Sequence, residues 1–222
     1  MLLSLVCQSG DEVLIDYGYG TPLSNERLLL EYGFVLPSPA ELPDDTLELP
    51  FGAIAVGLGA VEAAEAAEAA GVAAEDDEAL AVRQQTLLGQ LGDVEAAGLT
   101  FTADGEPSDA TLALAMVLTA RSLAELPHPT TEALLVDARQ DAESASDKVR
   151  PQRRLVARAR LALRAVAAEA LMQVDAALPT ETTTEDYDAE EADFEAVAVA
   201  FCRSRRDILA RASVAREADV QL

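Results

Sequence analysis

With 222 residues, the chain is long enough for one large domain or two small ones, each with a real buried core. Half of the residues are apolar, but many of these are alanine, which favours helix while contributing little buried area, so an α-rich protein with shallow cores is expected. The net charge of −24 argues against nucleic acid, because a phosphate-binding surface needs clustered Lys and Arg, and against anionic membrane surfaces; it would suit a basic protein partner, though acidity of this kind is chiefly a solubility trait.

Taken in chain order, "LLSLVC" (2–7) and "EVLIDY" (12–17), separated by "SGD", read as a β-hairpin. The opening "MLLSLVCQ" lacks a basic n-region and its apolar run stops after seven residues, so it reads as a strand rather than a signal peptide. Gly18 and Gly20 break the second strand. Ser24 or Asn25 then caps a short helix, "NERLLLEY", which Gly33 closes. Phe34 to Pro50 carries Pro37, Pro39, Pro43 and Pro50 and is expected to be extended, a linker pinned by prolines.

From there the periodicity is helical. "AVEAAEAAEAA" (60–70) is low-complexity Ala/Glu sequence that reads either as a solvated helix or as partly disordered. Residues 76–91 form the next helix, with Leu80, Leu87, Leu88 and Leu91 toward a core. A short strand over Leu99 to Thr102 follows, and Ser108 caps a helix expected to run on to Pro127. Another helix covers about 130–145. A long one spans 151–177, with Leu155, Ala159, Ala162, Val166, Ala170 and Val174 as its buried stripe. An acidic loop over 178–194 leads into the last helix, "EAVAVAFCRSRRDILARASVAREA". The expected organisation is therefore an N-terminal part over 1–36, a proline-rich linker over 37–59 and an all-helical domain over 60–222.

Two cysteines far apart, Cys7 and Cys202, and one histidine, His128, assemble no zinc ligand set and no disulfide framework; an intracellular, reducing compartment fits. Asp186, Asp188, Glu190 and Glu191 lack the glycine and the terminal glutamate of an EF-hand, so no metal site is expected. No stretch approaches the roughly 20 apolar residues of a membrane span.

The segment that carries chemistry is "GDEVLIDYG" (10–18) followed by "SNERLLLEYGFVLP" (24–37). The whole span from Gly10 to Pro37 holds three of the four tyrosines. It resembles the C-terminal motif of the SET domain, in the branch of the Rubisco large-subunit lysine methyltransferase, whose members read G-E-E-[VL]-x-I-x-Y-G and then S-N-x-x-[LF]-L-x-x-Y-G-F. The connecting "GYGTPL" departs from that pattern by being slightly longer. Three later segments are similar to parts of the helical substrate-binding domain of that branch: "RQQTLLGQLGDVEAAGLTF", "TTTEDYDAEE" and "CRSRRDILARA". The resemblance covers nearly the whole chain. It implies a mostly α fold: a short β-hairpin remnant of a SET domain, then an all-helical domain on which a protein substrate docks, with no nucleic acid or membrane partner and a monomeric state.

By the same resemblance Tyr17 is the catalytic tyrosine, Tyr32 lines the channel for the target lysine, and Phe34 belongs to the aromatic wall around S-adenosyl-L-methionine. Ser24 and Asn25 are expected to hold the helix that carries Tyr32 rather than to touch substrate. The residue types suit methyl transfer, an in-line displacement by an uncharged amine. Alignment can supply about 7–11 kcal/mol of the barrier, and a phenol with a reference pKa near 10 can hydrogen-bond the amine without adding charge. Taken alone, a tyrosine at a strand end is an amphipathic core-edge residue, and Gly-Tyr-Gly is a turn.

A complete SET enzyme also needs a Gly-x-Gly segment near the cofactor and an Asn-His pair. Gly57-Leu58-Gly59 and Gly18-Tyr19-Gly20 lie in the wrong context, and His128 follows no asparagine. The expectation is a truncated or degenerate form, inactive by itself, and a stand-alone helical binding module is the rival reading. The basic run from Lys148 to Arg164 and the cluster Arg203, Arg205, Arg206 read either as grips for an acidic substrate surface or as helix faces pairing with acidic neighbours.

Overall fold

The computed structural model describes residues 24–36, 45–68, 77–93, 98–141, 150–178 and 189–214. The expected hairpin over 2–17, and Tyr17 with it, lies outside the described residues. Helices account for 74% of what is described, with one small antiparallel sheet, so the chain is mostly α.

In chain order the elements are α1 (Asn25–Tyr32), β1 (Thr46–Leu49), a 3-10 turn (Phe51–Ala53), α2 (Ile54–Glu68), α3 (Asp77–Gln90), β2 (Leu99–Thr102), α4 (Asp109–Thr119), a second 3-10 turn (Leu123–Glu125), α5 (Thr131–Asp141), α6 (Arg150–Ala177) and α7 (Ala189–Ser213). Helix α6 is the axis: α2, α4, α5 and α7 all pack on it. Its buried residues include the expected Leu155, Ala159, Ala162 and Val166, but also Leu163 and Ala167; Ala170 and Val174 are only half-buried. The stripe is wider than one face because neighbours crowd α6 from several sides. The common core is filled by Phe101, Leu114, Met116, Leu134, Leu155 and Leu209, all nearly inaccessible.

The proline-rich stretch differs most from expectation. Over its described residues, 45–59, it is not an extended linker. Thr46–Leu49 pairs antiparallel with Leu99–Thr102, opposing Leu47 to Phe101 and Leu49 to Leu99. These four side chains are buried, while Glu48 between them is exposed. Alternation of that kind is what a half-buried strand requires, and "TLEL" between Asp45 and Pro50 is too short to register against the surrounding prolines. Helix α2 accordingly starts at Ile54 rather than at residue 60.

A second difference is the helix expected to run from Ser108 to Pro127. It starts as expected, with the Ser108 hydroxyl accepting from the Thr111 amide at 3.2 Å. It ends at Thr119, and Ala120 is extended. The Thr119 hydroxyl donates back to the Ala115 carbonyl at 2.7 Å. Gln84 on α3 then donates its side-chain amide to the carbonyls of Val117 (2.9 Å) and Ala120 (3.3 Å), meeting acceptors a helix end leaves orphaned. Gln84→Ala is expected to cost about 1 kcal/mol, and Gln84→Glu more, because a carboxylate would face those same carbonyls. Urea melts of the two variants check the order; a Glu variant as stable as wild type would remove Gln84 from this role.

The last helix starts at Ala189, inside the stretch expected as an acidic loop to 194. Residues 179–188 of that loop lie outside the described residues, as do 142–149, which held the end of the helix expected to reach 145.

Candidate functional site

Two of the three residues singled out from sequence, Tyr32 and Phe34, sit at the C-terminal end of α1. The helix is built locally as its sequence dictates. The Ser24 hydroxyl accepts from the Arg27 amide at 3.2 Å. Gly33 adopts the left-handed conformation (φ 76°) and donates its amide to the Leu29 carbonyl at 3.0 Å, a closure that costs a glycine no steric strain. Directly past this turn, Phe34 swings back beside Tyr32, with ring centroids 6.3 Å apart and planes tilted by 42°, a favourable aromatic geometry. Tyr32 is 43% exposed and Phe34 half-buried, so the pair forms an aromatic corner open on one side.

Eight residues do not make a stable helix in isolation. What holds α1 is a buried polar hub. Asn25 is 3% exposed and Asp45 4%. The Asn25 backbone amide donates to Asp45 Oδ1 at 2.8 Å, and its side-chain amide reaches Asp45 Oδ2 (3.0 Å), the Leu36 carbonyl (3.0 Å) and Ser204 Oγ (2.9 Å). Asn25 Oδ1 accepts from the Leu36 amide at 2.8 Å. The Ser204 hydroxyl in turn donates to Asp45 Oδ2 at 3.2 Å. The Asp45 carboxylate thus receives three donors, which offsets its burial.

One asparagine therefore ties three parts of the chain: the N-terminus of α1, the irregular segment at Leu36 that follows Phe34, and helix α7. The bonds to Leu36 flank the aromatic corner and fix how the chain leaves it. Beside the hub, Arg205 of α7 binds Glu26 (3.3 Å) and the Glu48 carbonyl (3.1 Å), and its guanidinium lies over the Phe201 ring at 5.3 Å. Leu28, 1% exposed, completes the anchor on the apolar side.

The expected scaffolding role of Ser24 and Asn25 matches these contacts. Sequence reasoning missed Asp45 and Ser204, the other members of the hub, and no local signal would have found them: Asp45 sits among prolines and Ser204 in an arginine run 179 positions from Asn25. The basic clusters pair with acidic neighbours. Arg206 meets Asp175 at 2.6 Å on the surface, and Arg158 binds Glu125, whose other carboxylate oxygen accepts from the Arg121 amide at 2.7 Å. No group of three potential metal ligands occurs among the described residues, and none of their helices is long and apolar enough to cross a membrane.

Compared with models of protein families, with curated proteins and with solved structures, the chain has no significant match.

Proposed function

We propose that the chain is the C-terminal portion of a SET-domain protein-lysine N-methyltransferase of the Rubisco large-subunit methyltransferase type, transferring a methyl group from S-adenosyl-L-methionine to a side-chain amine of a protein docked on the helical domain. The observation that carries this reading is the sequence run from Gly10 to Phe34, with Tyr17 in "GDEVLIDYG" and Tyr32 and Phe34 closing a capped helix. The rigid mounting of the aromatic corner supports it. Orientation is what methyl transfer asks of a protein, and a hub with every polar atom met is a device for orientation.

For the cofactor itself the described residues offer a single wall, the Tyr32–Phe34 pair, with no Gly-x-Gly backbone beside it. That set does not make a binding site. The 222-residue chain alone is accordingly expected to show no micromolar binding of S-adenosylmethionine by isothermal titration, and binding at that level would mean that its completeness has been misread. In a longer form whose added segment contains Gly-x-Gly and Asn-His, Tyr17→Phe is expected to lower methyl transfer at least tenfold with the helical signal unchanged. Full activity of that variant would take Tyr17 out of the reaction.

One observation favours a second reading, a stand-alone protein-binding module. Among the described residues, the core around Phe101, Leu114, Leu155 and Leu209 draws on 47–212. The two readings part on the longer form: only the first expects methyl transfer from it.

A further inference from the structure

The hub that mounts α1 contains a buried carboxylate for which the proposed chemistry has no use. Asp45 is 4% exposed and stands one residue before β1. Its three donors come from other elements: the Asn25 backbone amide (2.8 Å) and side-chain amide (3.0 Å) from α1, and the Ser204 hydroxyl (3.2 Å) from α7. All three are neutral. A carboxylate held in this way gains direction rather than charge pairing, because both of its oxygens only accept and so dictate where each donor points.

The donor it directs is the Asn25 carboxamide, and that group also faces Leu36. Its nitrogen donates to the Leu36 carbonyl at 3.0 Å, while its oxygen accepts from the Leu36 amide at 2.8 Å. Both bonds require one orientation of the carboxamide. Turned over, Asn25 would set its oxygen against the Leu36 carbonyl and the Asp45 carboxylate, and its nitrogen against the Leu36 amide. An acceptor-only partner at position 45 forbids that flip; a neutral amide there would not. Leu36 lies two residues past Phe34, so the chain's exit from the Tyr32–Phe34 corner depends on which way Asn25 is turned.

We infer that Asp45 is a positioning residue for the aromatic corner, a role in catalysis that rests on the methyltransferase reading. It touches neither substrate nor cofactor. It acts through Asn25 and Leu36 on the angle at which Phe34 closes against Tyr32, whose rings stand 6.3 Å apart. The corner is thereby set from the segment entering β1 and from α7, although its own residues belong to α1 and the turn after it. A reacting amine aligned by such a wall is sensitive to its placement: a displacement of about 1 Å can cost on the order of a hundredfold in rate. Docking of a protein on the helical domain uses other surfaces and should not feel it.

Asp45→Asn tests it, since the side chain keeps its shape and exchanges one acceptor for a donor. On the 222-residue chain, NMR of the ring protons of Tyr32 and Phe34 should show both sets shifted in this variant. Gln84→Ala, which loses hydrogen bonds on α3 far from the hub, should leave them in place. Where circular dichroism shows that Asp45→Asn has lost its helix, Ser204→Ala takes its place: it removes one donor from the same carboxylate and should move the same rings less. In the longer form, Asp45→Asn should lower kcat at least tenfold with KM for the protein substrate within twofold. Unmoved rings, rings moved equally by Gln84→Ala, or a raised KM at unchanged kcat would each overturn the positioning role. A wild-type longer form that transfers no methyl group would instead overturn the reading beneath it, and the ring shifts alone would then decide whether Asp45 orients the corner.

Discussion

Asn25→Ala is expected to release α1 from the body of the protein. The substitution leaves the Asn25 backbone amide on Asp45 but removes the side-chain amide that reaches Asp45, Leu36 and Ser204, and the oxygen that accepts from the Leu36 amide. The loss is asymmetric: the partners stay buried, and a buried carboxylate deprived of a donor costs more than the bond itself was worth. About 3 kcal/mol is expected, which is a hundredfold or more in the equilibrium for opening α1. Because α1 touches the rest of the molecule mainly through α7, the effect should be local rather than global. Hydrogen exchange reads it directly: amides from Leu28 to Gly33 should lose protection while those of α6 keep theirs. Ser204→Ala removes one hydroxyl and leaves Asn25 bonded to Asp45 and Leu36, so about 1 kcal/mol is expected from it. Equal effects of the two variants, or unchanged protection of α1 in the first, would mean that the hub does not hold the aromatic corner.

Gly57→Ala and Gly59→Ala are expected to move stability in opposite directions. Both glycines lie in α2, where alanine is intrinsically better by roughly 1 kcal/mol. Gly59 has open space where a Cβ would be, so its replacement should stabilise by up to about that amount. At Gly57 the added carbon would meet the Ala162 backbone on α6, 2.8 Å from its carbonyl carbon and 3.0 Å from its Cα. Backbone in the centre of a long helix cannot rotate out of the way as a side chain can, so α2 and α6 must separate along their whole contact. Overpacking of this kind costs about 3 kcal/mol, leaving a net loss of about 2 kcal/mol. Denaturant melts of the two variants settle it, and a stabilised Gly57→Ala would show that the helices do not approach at that point. The same contact accounts for the Gly-Leu-Gly run seen in the sequence: one of its glycines serves helix packing and the other is exposed.

Legibility follows the range of the interaction. A cap at Ser24 or Asn25, which the structure assigns to Ser24, the closure at Gly33, the cap at Ser108 and the α6 stripe from Leu155 to Val166 were readable, since each depends on residues a few positions apart. The boundaries that moved did so where distant residues intervened. Leu47 and Leu49 became strand because Phe101 and Leu99 were there to pair with them, and α4 stopped at Thr119 where Gln84 supplied donors from another helix. At the candidate site, Tyr32 and Phe34 were found through a pattern of neighbours in the chain, whereas Asp45 and Ser204 belong to a contact that no local pattern encodes.

What the amino-acid order determined by itself was a mostly helical, strongly acidic chain with its aromatic corner on a short capped helix. Tertiary structure alone decided that this helix is riveted to α7 through Asn25 and that Gly57 is where α2 meets α6. Periodicity and caps act over one turn of chain, while burial brings together groups 20 to 179 positions apart, and only the folded path says which ones meet.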